Sequence, residues 1–279
     1  MELLRTVAEL RQWSREQRSG GNPVGLVPTM GALHAGHASL IRAAAAHWRV
    51  AVSIFVNPTQ FGPNEDYARY PRTFEADCAL AQAEGADAVF APTVEELYPV
   101  GAATFVEVEG LSNRLDGASR PGHFRGVATV VAKLLIAAEP DRAFFGQKDA
   151  AQVAVLRRMV TDLRLPAEIV VCPIVREPDG LALSSRNLFL SAAERVQALV
   201  LSRAIRQAEA LAAAGERRSS ALIAAARQTF AAVPEVRIDY IAAVDWATLD
   251  PVEIAAPGTL FAVAARVGHT RLIDNTILN

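Results

Sequence analysis

Two histidines three residues apart are the first residues in this sequence whose types and spacing suggest chemistry. His34 and His37 lie on either side of Gly36 in "VPTMGALHAGH" (27–37), at the end of a short apolar run. At the start of a helix they would share one face, beside backbone N–H groups and positive partial charge that bind phosphate. Gly36 lets a ligand approach the backbone, and the helix end favours a neutral, hydrogen-donating His37. The alternative is that each imidazole only caps the helix.

A second candidate segment is "FFGQKDAAQ" (144–152), which also begins in an apolar run. Gly146 opens a turn there, and the Lys148 ammonium can neutralise phosphate charge. Asp149 either caps the following helix or contacts a ligand. Gln152 lies one helical turn beyond Lys148, so the spacing predicts that both side chains point into the same cleft.

A third candidate is the polar loop "REPDGLALSSRN" (176–187), in which Asp-Gly marks a turn. Ser184, Ser185 and Arg186 place two hydroxyl groups and one guanidinium on a short stretch, a combination that suits phosphate oxygens. The alternative is a solvated linker between two domains.

Neutral amides mark the fourth segment, "VNPTQFGPNEDYARYPRT" (56–73). Asn57 and Gln60 can hold hydroxyl groups and a carboxylate without competing charge. An ordinary polar loop is the alternative.

A short basic segment, "RPGHFRG" (120–126), precedes an apolar helix. Its polar residues are Arg120, His123 and Arg125. They form either an anion site or only a well-capped start of the helix.

Short β-branched runs alternate with helical patterns over the first two thirds of the chain. This alternation predicts a Rossmann-like α/β fold, with a parallel sheet covered by helices on both faces, whose ligands bind at the carboxyl ends of the strands. The first 13 residues also have helical spacing. The predicted strands are 24–27, 50–56, 87–92, 142–146 and 168–175. The predicted helices are 37–48, 74–85, 124–140 and 148–163.

The pattern changes after residue 175, which predicts two domains. We expect residues 1–175 to form the Rossmann-like domain and residues 176–279 to form a smaller C-terminal α+β domain. Ser191 and Glu194 make a capping box at the start of a long helix. Helices are predicted at 191–215 and 219–232, followed by strands at 236–244, 259–267 and 270–275, with a hairpin turn between the last two strands.

Composition excludes several classes of protein. Hydrophobic residues are 51% and charged residues 21% of the 279, which is typical of a globular chain. A net charge of −2 does not suggest nucleic-acid binding through a strongly basic surface, although a neutral total is compatible with a local basic patch. No apolar run is long enough to span a bilayer. The two cysteines form neither a disulfide framework nor a zinc motif, so we expect a cytoplasmic protein without membrane or nucleic-acid partners.

Taken together, the motifs identify a family. H-x-G-H with a later Lys/Ser/Arg loop resembles the ATP-binding signatures of the nucleotidyltransferase superfamily. "PTMGALHAGH", "SIFVNPTQF", "YPRT", "FFGQKDAAQ" and "DGLALSSRN", in this order, resemble the pantothenate synthetase family of pantoate–β-alanine ligases. The motifs cover about residues 20 to 190.

The resemblance implies an AMP-forming acid–amino-acid ligase, in which residues 1–175 would bind ATP and pantoate and residues 176–279 would cover the active site. ATP and (R)-pantoate would give pantoyl adenylate and pyrophosphate, and β-alanine would then displace AMP to give pantothenate, with Mg²⁺ on the phosphates. Gln60 would contact pantoate and β-alanine, Gln152 would contact pantoate, and His37 would be the catalytic proton donor. The implied ATP-binding residues are Met30, His34, Gly36, His37, Gly146, Lys148, Asp149, Val175, Leu183, Ser184, Ser185 and Arg186.

The chain departs from the family pattern at a few positions. Gln147 and Ala35 stand where Glu is frequent, which argues against an essential acid at 147. Asp77 matches an acid associated with metal in some members, but its neighbour Ala76 carries no carboxylate, so protein ligands for the metal are left open. Family members are commonly homodimers.

Two other functions are compatible with parts of the pattern. One is a nucleotidyltransferase acting on another small acid or on a phosphate ester, although an ester would favour more Arg or Lys than the amides of Gln60 and Gln152. The other is a nucleotide-binding module without turnover, which has no need of leaving-group stabilisers such as His37 and Lys148. A tRNA ligase is disfavoured because neither an anticodon-type domain nor a basic surface is evident.

Overall fold

The computed structural model describes residues 1–63, 65 and 67–279. Asn64 and Asp66, in the predicted polar loop 56–73, lie outside the described residues. The chain divides into two compact units: Met1–Gly146 with Val155–Pro173, and Gln147–Ala154 with Ile174–Asn279. Residues 147–154, which the predicted division at 175 assigns to the first domain, therefore group with the second unit. The functions predicted for the two domains stay predictions.

The first unit contains a six-stranded parallel sheet. Its strands are Glu2–Leu4 (β1), Val24–Thr29 (β2), Arg49–Ile54 (β3), Ala88–Phe90 (β4), Arg142–Gly146 (β5) and Glu168–Cys172 (β6). They are arranged in the order β1-β4-β3-β2-β5-β6, with every pairing parallel. The strand order reverses direction between β2 and β5, and ligands of open parallel sheets bind at such a reversal.

Helices cover both faces of this sheet. The helices of the first unit are Val7–Ser19 (α1), Ala35–Ala45 (α2), Phe74–Ala83 (α3), Val94–Leu97 (α4), Asp116–Ser119 (α5) and His123–Ala138 (α6). A further helix, Ala150–Asp162 (α7), contributes residues to both units. Val27 and Val52 pack against Ile41 of α2 on one face, while Leu26 and Ala51, which alternate with them, are also fully buried. The predicted fold class is confirmed.

The second unit is a smaller α+β assembly. Two helices, Ala192–Ala213 (α8) and Ser219–Ala231 (α9), pack on an antiparallel sheet of Val236–Val244 (β7), Leu260–Val267 (β8) and Thr270–Ile277 (β9), in the order β7-β8-β9. Leu201 and Ile205 of α8 share a buried core with Phe261 and Val263 of β8. The predicted hairpin turn at 268–269 and the Ser191 capping box are both present.

The first residues differ from their prediction. Helical spacing over residues 1–13 predicts one helix, but Glu2–Leu4 is a strand paired with β4, and α1 begins at Val7. Thr6 explains the change because it forms a capping box with Glu9, which fixes the helix start at that point. Among the described residues, no helix is long and apolar enough to cross a membrane.

Candidate active site

The H-x-G-H segment connects β2 to α2 at the point where the strand order reverses. β2 ends at Thr29, and α2 begins at Ala35 with His34 as its N-cap. The helix therefore starts two residues before the predicted position, because His34 supplies the capping acceptor. Gly146 ends β5, the strand on the other side of the reversal. Residues predicted to bind ATP thus lie at the carboxyl ends of two adjacent strands.

Both imidazoles cap the helix through Nδ1. The Gly36 backbone N–H donates to His34 Nδ1 at 3.1 Å, and the His34 backbone N–H donates to His37 Nδ1 at 3.3 Å. The two rings lie 4.1 Å apart between centroids. This arrangement is a capping box built from two histidines. The Nδ1 atoms of both histidines therefore cap the helix, as the alternative interpretation expects.

Capping by Nδ1 determines which tautomer each histidine adopts. A ring nitrogen that accepts from a backbone N–H carries no proton, so the neutral ring carries its proton on Nε2. His34 and His37 therefore each present an Nε2–H donor, at a helix end whose partial charge is positive. Two neutral donors side by side suit the oxygens of a polyphosphate. Capping and ligand binding are compatible here, because they use opposite sides of the ring.

A buried carboxylate fixes the loop before the two histidines. Asp77 on α3 is 2% exposed and accepts from the backbone N–H groups of Ala32 at 3.0 Å and Leu33 at 2.8 Å, and from the Thr73 hydroxyl at 3.0 Å. Gly31 has a φ of +79°, and a Cβ there would lie 2.9 Å from Asp77 Oδ2. Asp77 therefore braces the loop, with one backbone N–H donating to each of its two oxygens.

Replacing Asp77 by Ala is expected to destabilise the protein by about 3 kcal/mol, because buried backbone donors lose their acceptor. Urea unfolding followed by circular dichroism measures the change. Glu75→Ala, on the exposed side of the same helix, is the control and should stay within about 0.5 kcal/mol of the parent. An Asp77→Ala protein as stable as the control would refute the bracing role.

The amides that follow β3 form an ordered pair. Asn57 is 1% exposed, and its Nδ2 donates to Gln60 Oε1 at 3.0 Å and to the Gly126 carbonyl at 3.1 Å. The Tyr98 hydroxyl donates to Asn57 Oδ1 at 2.8 Å. Gln60 Nε2 donates to Met30 Sδ at 3.2 Å, and a thioether is a weak acceptor. Asn57 thus orients Gln60, whose N–H groups are available to a better acceptor such as a carboxylate.

The basic segment 120–126 supports Gln60 through its backbone. Arg120 donates to His123 Nε2 at 2.9 Å, so the His123 proton lies on Nδ1 and is donated to the Gln60 carbonyl at 2.9 Å. Arg120 also pairs with Glu65 at 2.6 Å. Arg125 stacks over the Phe105 ring at 3.9 Å. These contacts favour a supporting role over an anion site.

Two pKa values in this network are strongly shifted. Burial and the Arg120 guanidinium lower the pKa of His123 to about 4. Burial alone would raise the pKa of Glu65, but hydrogen bonding and charge from Arg120 outweigh it and hold that pKa at about 2. The network therefore contains a neutral imidazole and an ionised carboxylate at neutral pH.

The His123 shift predicts acid sensitivity. As the pH falls below about 6.5 the unfolded chain takes up a proton at His123, whereas the folded chain does not until about pH 4, so stability falls over this interval. We expect His123 to account for about 2 kcal/mol of lost stability at pH 5 relative to pH 7.5. Glu65 adds a further loss from about pH 4.5 towards 2.

Urea unfolding of the parent and His123→Asn at the two pH values measures this loss, since Asn keeps a donor near Nδ1 but does not titrate. His47→Asn, at an exposed position, is the control and should lose as much stability between pH 7.5 and pH 5 as the parent does. Equal losses in the His123→Asn protein and the parent would contradict the prediction.

In the second unit, Lys148 lies in a short 3-10 turn, Gln147–Asp149, ahead of α7. Its Nζ is 3.5 Å from Asp149 Oδ1. Asn275 on β9 donates to the carbonyls of both Gln147 and Lys148, and Trp246 Nε1 donates to the Ala150 carbonyl at 2.9 Å. Gln152 follows in the first turn of α7, which begins at Ala150 and not at the predicted residue 148.

The serine and arginine residues of 184–186 follow a small hairpin in the same unit. Arg176 pairs with Ala182, and the Leu183 N–H donates to the Val175 carbonyl at 3.0 Å. Ser184 then caps a 3-10 helix, Ser185–Phe189, by accepting from the Arg186 N–H at 3.3 Å.

Arg195 of α8 clamps this hairpin by donating to Glu177 at 2.6 and 2.8 Å and to Asp179 at 2.7 and 3.1 Å. Hydrogen bonding to Glu177, with a smaller part from Asp179, raises the pKa of Arg195. The loop is therefore an ordered element rather than a solvated linker.

The predicted residues fall into one group in each unit. The first unit brings together Met30, His34, Gly36, His37 and Gln60 near the ends of β2 and β3, with Gly146 at the end of β5. The second unit contains Lys148, Asp149, Gln152, Val175, Leu183, Ser184, Ser185 and Arg186.

Sequence reasoning did not identify the supporting residues Tyr98, Arg195, Asp274 and Asn275. Of these four, only Asp274 and Asn275 could have been noticed in the sequence, because an Asp-Asn pair is unusual inside an apolar strand.

Magnesium is the remaining component that the family resemblance implies. Within residues 1–63, 65 and 67–279, no group of three His, Cys, Asp or Glu side chains is placed to hold a metal ion. Asp77, the acid with a possible metal role, is occupied by backbone donors. The described residues therefore do not fit a protein cage for Mg²⁺. A cation carried largely by phosphate oxygens and water needs no such cage.

Comparison with known proteins gives a consistent result. The family model described as Pantoate-beta-alanine ligase matches residues 2–277. A curated relative, pantothenate synthetase of Acidobacterium capsulatum, is 62% identical over 290 residues, covering 100% of this chain and 97% of the relative.

Solved structures agree with these matches. The crystal structure of pantothenate synthetase from Thermus thermophilus has a TM-score of 0.93 and 49% identity, covering 99% of both chains. Pantoate-beta-alanine ligase from Francisella tularensis, described as complexed with beta-gamma ATP and beta-alanine, has a TM-score of 0.80 and 33% identity, covering 99% of this chain and 97% of that one.

Proposed function

The chain belongs to the pantoate–β-alanine ligase family, and from this premise we propose which of its residues carry out the reaction. The activity is the ATP-dependent condensation of (R)-pantoate with β-alanine. A pantoate carboxylate oxygen attacks the α-phosphorus of ATP, and pyrophosphate leaves. The β-alanine amine then attacks the carbonyl carbon of pantoyl adenylate, losing a proton, and AMP leaves. No protein nucleophile is required, so binding and orientation dominate catalysis.

His34 and His37 bind the phosphates of ATP through their Nε2–H groups. The observation that carries this proposal is the double cap, since both Nδ1 atoms accept backbone N–H bonds and the ring protons must lie on Nε2. As pyrophosphate leaves, negative charge grows on its oxygens. Neutral donors fixed by the helix backbone stabilise that charge without reorganising. His37 is the catalytic member of the pair and the donor to the leaving group.

We assign further ATP contacts to residues of each unit. Lys148 and Arg186 supply positive charge for the phosphates, and Ser184 and Ser185 supply hydroxyl donors. Gly146 and Asp149 lie nearer the nucleoside. The other ATP-binding residues in this proposal are Met30, Gly36, Val175 and Leu183.

Gln60 and Gln152 bind the organic substrates. Gln60 contacts both pantoate and β-alanine, and Gln152 contacts pantoate. The Gln60 side chain has its Oε1 occupied by Asn57 and its Nε2 on a weak sulfur acceptor. A pantoate carboxylate or hydroxyl is a stronger acceptor and would replace the sulfur. Neutral amides hold the carboxylate without neutralising the charge that makes it a nucleophile.

The proposal includes Mg²⁺ with the nucleotide, where the ion would supply positive charge to the triphosphate. This assignment follows from the donor set, because the described residues offer no group of three ligands of their own. His34, His37, Lys148 and Arg186 remain the protein's contacts to the phosphates.

The exchange of Gln60 for Ala tests the substrate assignment. We expect the KM for pantoate to rise by about 10- to 100-fold, since an oriented amide is lost, while the KM for ATP changes less than about twofold. Steady-state assays that quantify AMP and pantothenate give both values. Gln12→Ala, on the surface of α1, is the control. Equal increases in the two KM values would remove Gln60 from the substrate pocket, and ADP as the product would reject the AMP-forming reaction.

Assembly and location complete the proposal. We infer a cytoplasmic homodimer, as family resemblance implies, and the free thiols of Cys78 and Cys172 suit a reducing compartment. Sedimentation equilibrium should give twice the chain mass of 29.8 kDa, and a monomer at micromolar concentration would contradict the dimer.

A further inference from the structure

An adjacent acid and amide on the last strand, Asp274 and Asn275, contact the Arg176 hairpin and the Lys148 turn of the second unit. Asn275 is 3% exposed, and its Nδ2 donates to the Gln147 carbonyl at 3.0 Å and to the Lys148 carbonyl at 2.9 Å. Its Oδ1 accepts from Gln147 Nε2 at 3.3 Å. One side chain therefore uses both amide protons and its oxygen to hold the turn that carries Lys148.

Asp274, the preceding residue, holds the other segment. Its carboxylate is 2% exposed and accepts two hydrogen bonds from Arg176, at 2.7 and 2.9 Å. Arg176 also donates to the Gly180 carbonyl at 3.1 Å, across the hairpin that leads to Ser184. The Asn275 backbone N–H donates to Asp274 Oδ1 at 2.8 Å, which orients the carboxylate.

The strand geometry explains how neighbouring residues reach different segments. Successive side chains of a β-strand point to opposite faces of the sheet. Asp274 lies on the same face as Leu272, which belongs to the core beneath α8 and α9, and Asn275 lies on the opposite face. The Arg176 hairpin and the Lys148 turn are thus held by two consecutive residues of one rigid strand.

We propose that Asp274 and Asn275 are positioning residues for the ligase reaction, with Asn275 fixing the backbone of Lys148 and Asp274 fixing the hairpin before Ser184–Arg186. This inference rests on the proposed function of Lys148 and the serine–arginine segment. A buried polar pair is costly unless fully hydrogen-bonded. Here the bonds go to the backbone of Lys148 and to the hairpin that precedes Ser184–Arg186, so they set the geometry of the groups proposed to stabilise charge.

The decisive variant is Asn275→Asp in the full-length chain. The two side chains have the same shape, but a carboxylate cannot donate to the carbonyls of Gln147 and Lys148. We expect the KM for ATP to rise and kcat to fall, each by about tenfold, because small displacements of a catalytic group are costly. The KM for pantoate should change less than about twofold. Asn279→Asp, an exposed residue of the same unit with the same charge change, should behave as the parent.

Two further measurements separate positioning from general stability. Asn275→Ser keeps one donor and should show an intermediate ATP KM, which provides a second test if the aspartate variant does not fold. In a Lys148→Ala background, Asn275→Asp should lower kcat by less than about twofold, because its effect acts through Lys148. The inference would be overturned if folded Asn275 variants had the parental KM for ATP. It would also be overturned if Asn275→Asp still lowered kcat by about tenfold in the Lys148→Ala background.

The same assays distinguish this inference from the proposed function. If Lys148→Ala itself leaves the KM for ATP and kcat unchanged, the function proposed for Lys148 fails. If Lys148→Ala is impaired while folded Asn275 variants are not, only the positioning inference fails.

Discussion

Replacing His37 by Ala is expected to lower the rate of pantoyl adenylate formation by about 100- to 1,000-fold, the cost of removing one fixed donor from a developing negative charge. His37 holds its ring in place by accepting the His34 N–H at Nδ1, so the ring proton lies on Nε2, the atom proposed to contact the phosphates. Rapid-quench measurement of AMP formation after acid hydrolysis of the adenylate gives the rate of the first step directly.

The His37→Ala variant also loses a helix cap worth about 1 kcal/mol, so a second variant separates the two effects. His37→Asn places an oxygen near the position of Nδ1 and can keep the cap, but it has no donor at the position of Nε2. We expect it to fold like the parent and to be as slow as the alanine variant. His47→Ala, in the exposed turn after the same helix, is the control. Parental adenylation in His37→Asn would refute the donor role.

Replacing Lys148 by Ala should have a comparable effect, with kcat lower by about 100- to 1,000-fold and a raised KM for ATP. The ammonium supplies a full positive charge for the leaving pyrophosphate, on a turn held by Asn275 and Trp246. Lys148→Gln keeps much of the side-chain length without the charge and should be similarly impaired. Steady-state kinetics with varied ATP measure both constants.

Because lysine is rare in this sequence, chemical labelling provides a direct test of ATP binding at Lys148. The chain has only two lysines, Lys133 and Lys148. Lys133 donates to the Leu97 carbonyl and lies over the Tyr98 ring, so it provides an internal reference. Acetylation followed by mass spectrometry should show that ATP protects Lys148 and leaves the rate at Lys133 unchanged. Equal rates at Lys148 with and without ATP would contradict its place in the nucleotide site.

Local sequence patterns were sufficient for the parts of the site that depend on neighbouring residues. An apolar run, a Pro-Thr-Met-Gly turn and an alanine-rich helix predict the β2–α2 connection, and α2 begins only two residues earlier than expected. The turn before α7 and the polar loop at 176–187 were located for the same reason. The two imidazoles were recognised as candidates because their spacing matches one helical turn.

Supporting contacts between distant residues were not predictable from those patterns. Asp77 is 45 positions from Ala32, and Asn275 is 127 positions from Lys148, so their pairing depends on the tertiary fold. A single sequence also gave no indication that Asn57 orients Gln60, because both residues had the same interpretation as polar loop amides. The tautomers of His34 and His37 likewise required the backbone geometry of the helix start.

Pyrophosphate–ATP isotope exchange without β-alanine tests the central claim most directly, because it isolates the first half of the reaction. We expect labelled pyrophosphate to enter ATP only when (R)-pantoate is present, and His37→Asn and Lys148→Ala each to reduce the exchange rate by at least about 100-fold. Exchange that proceeds equally well without pantoate, or no exchange with it, would contradict formation of a pantoyl adenylate by this protein.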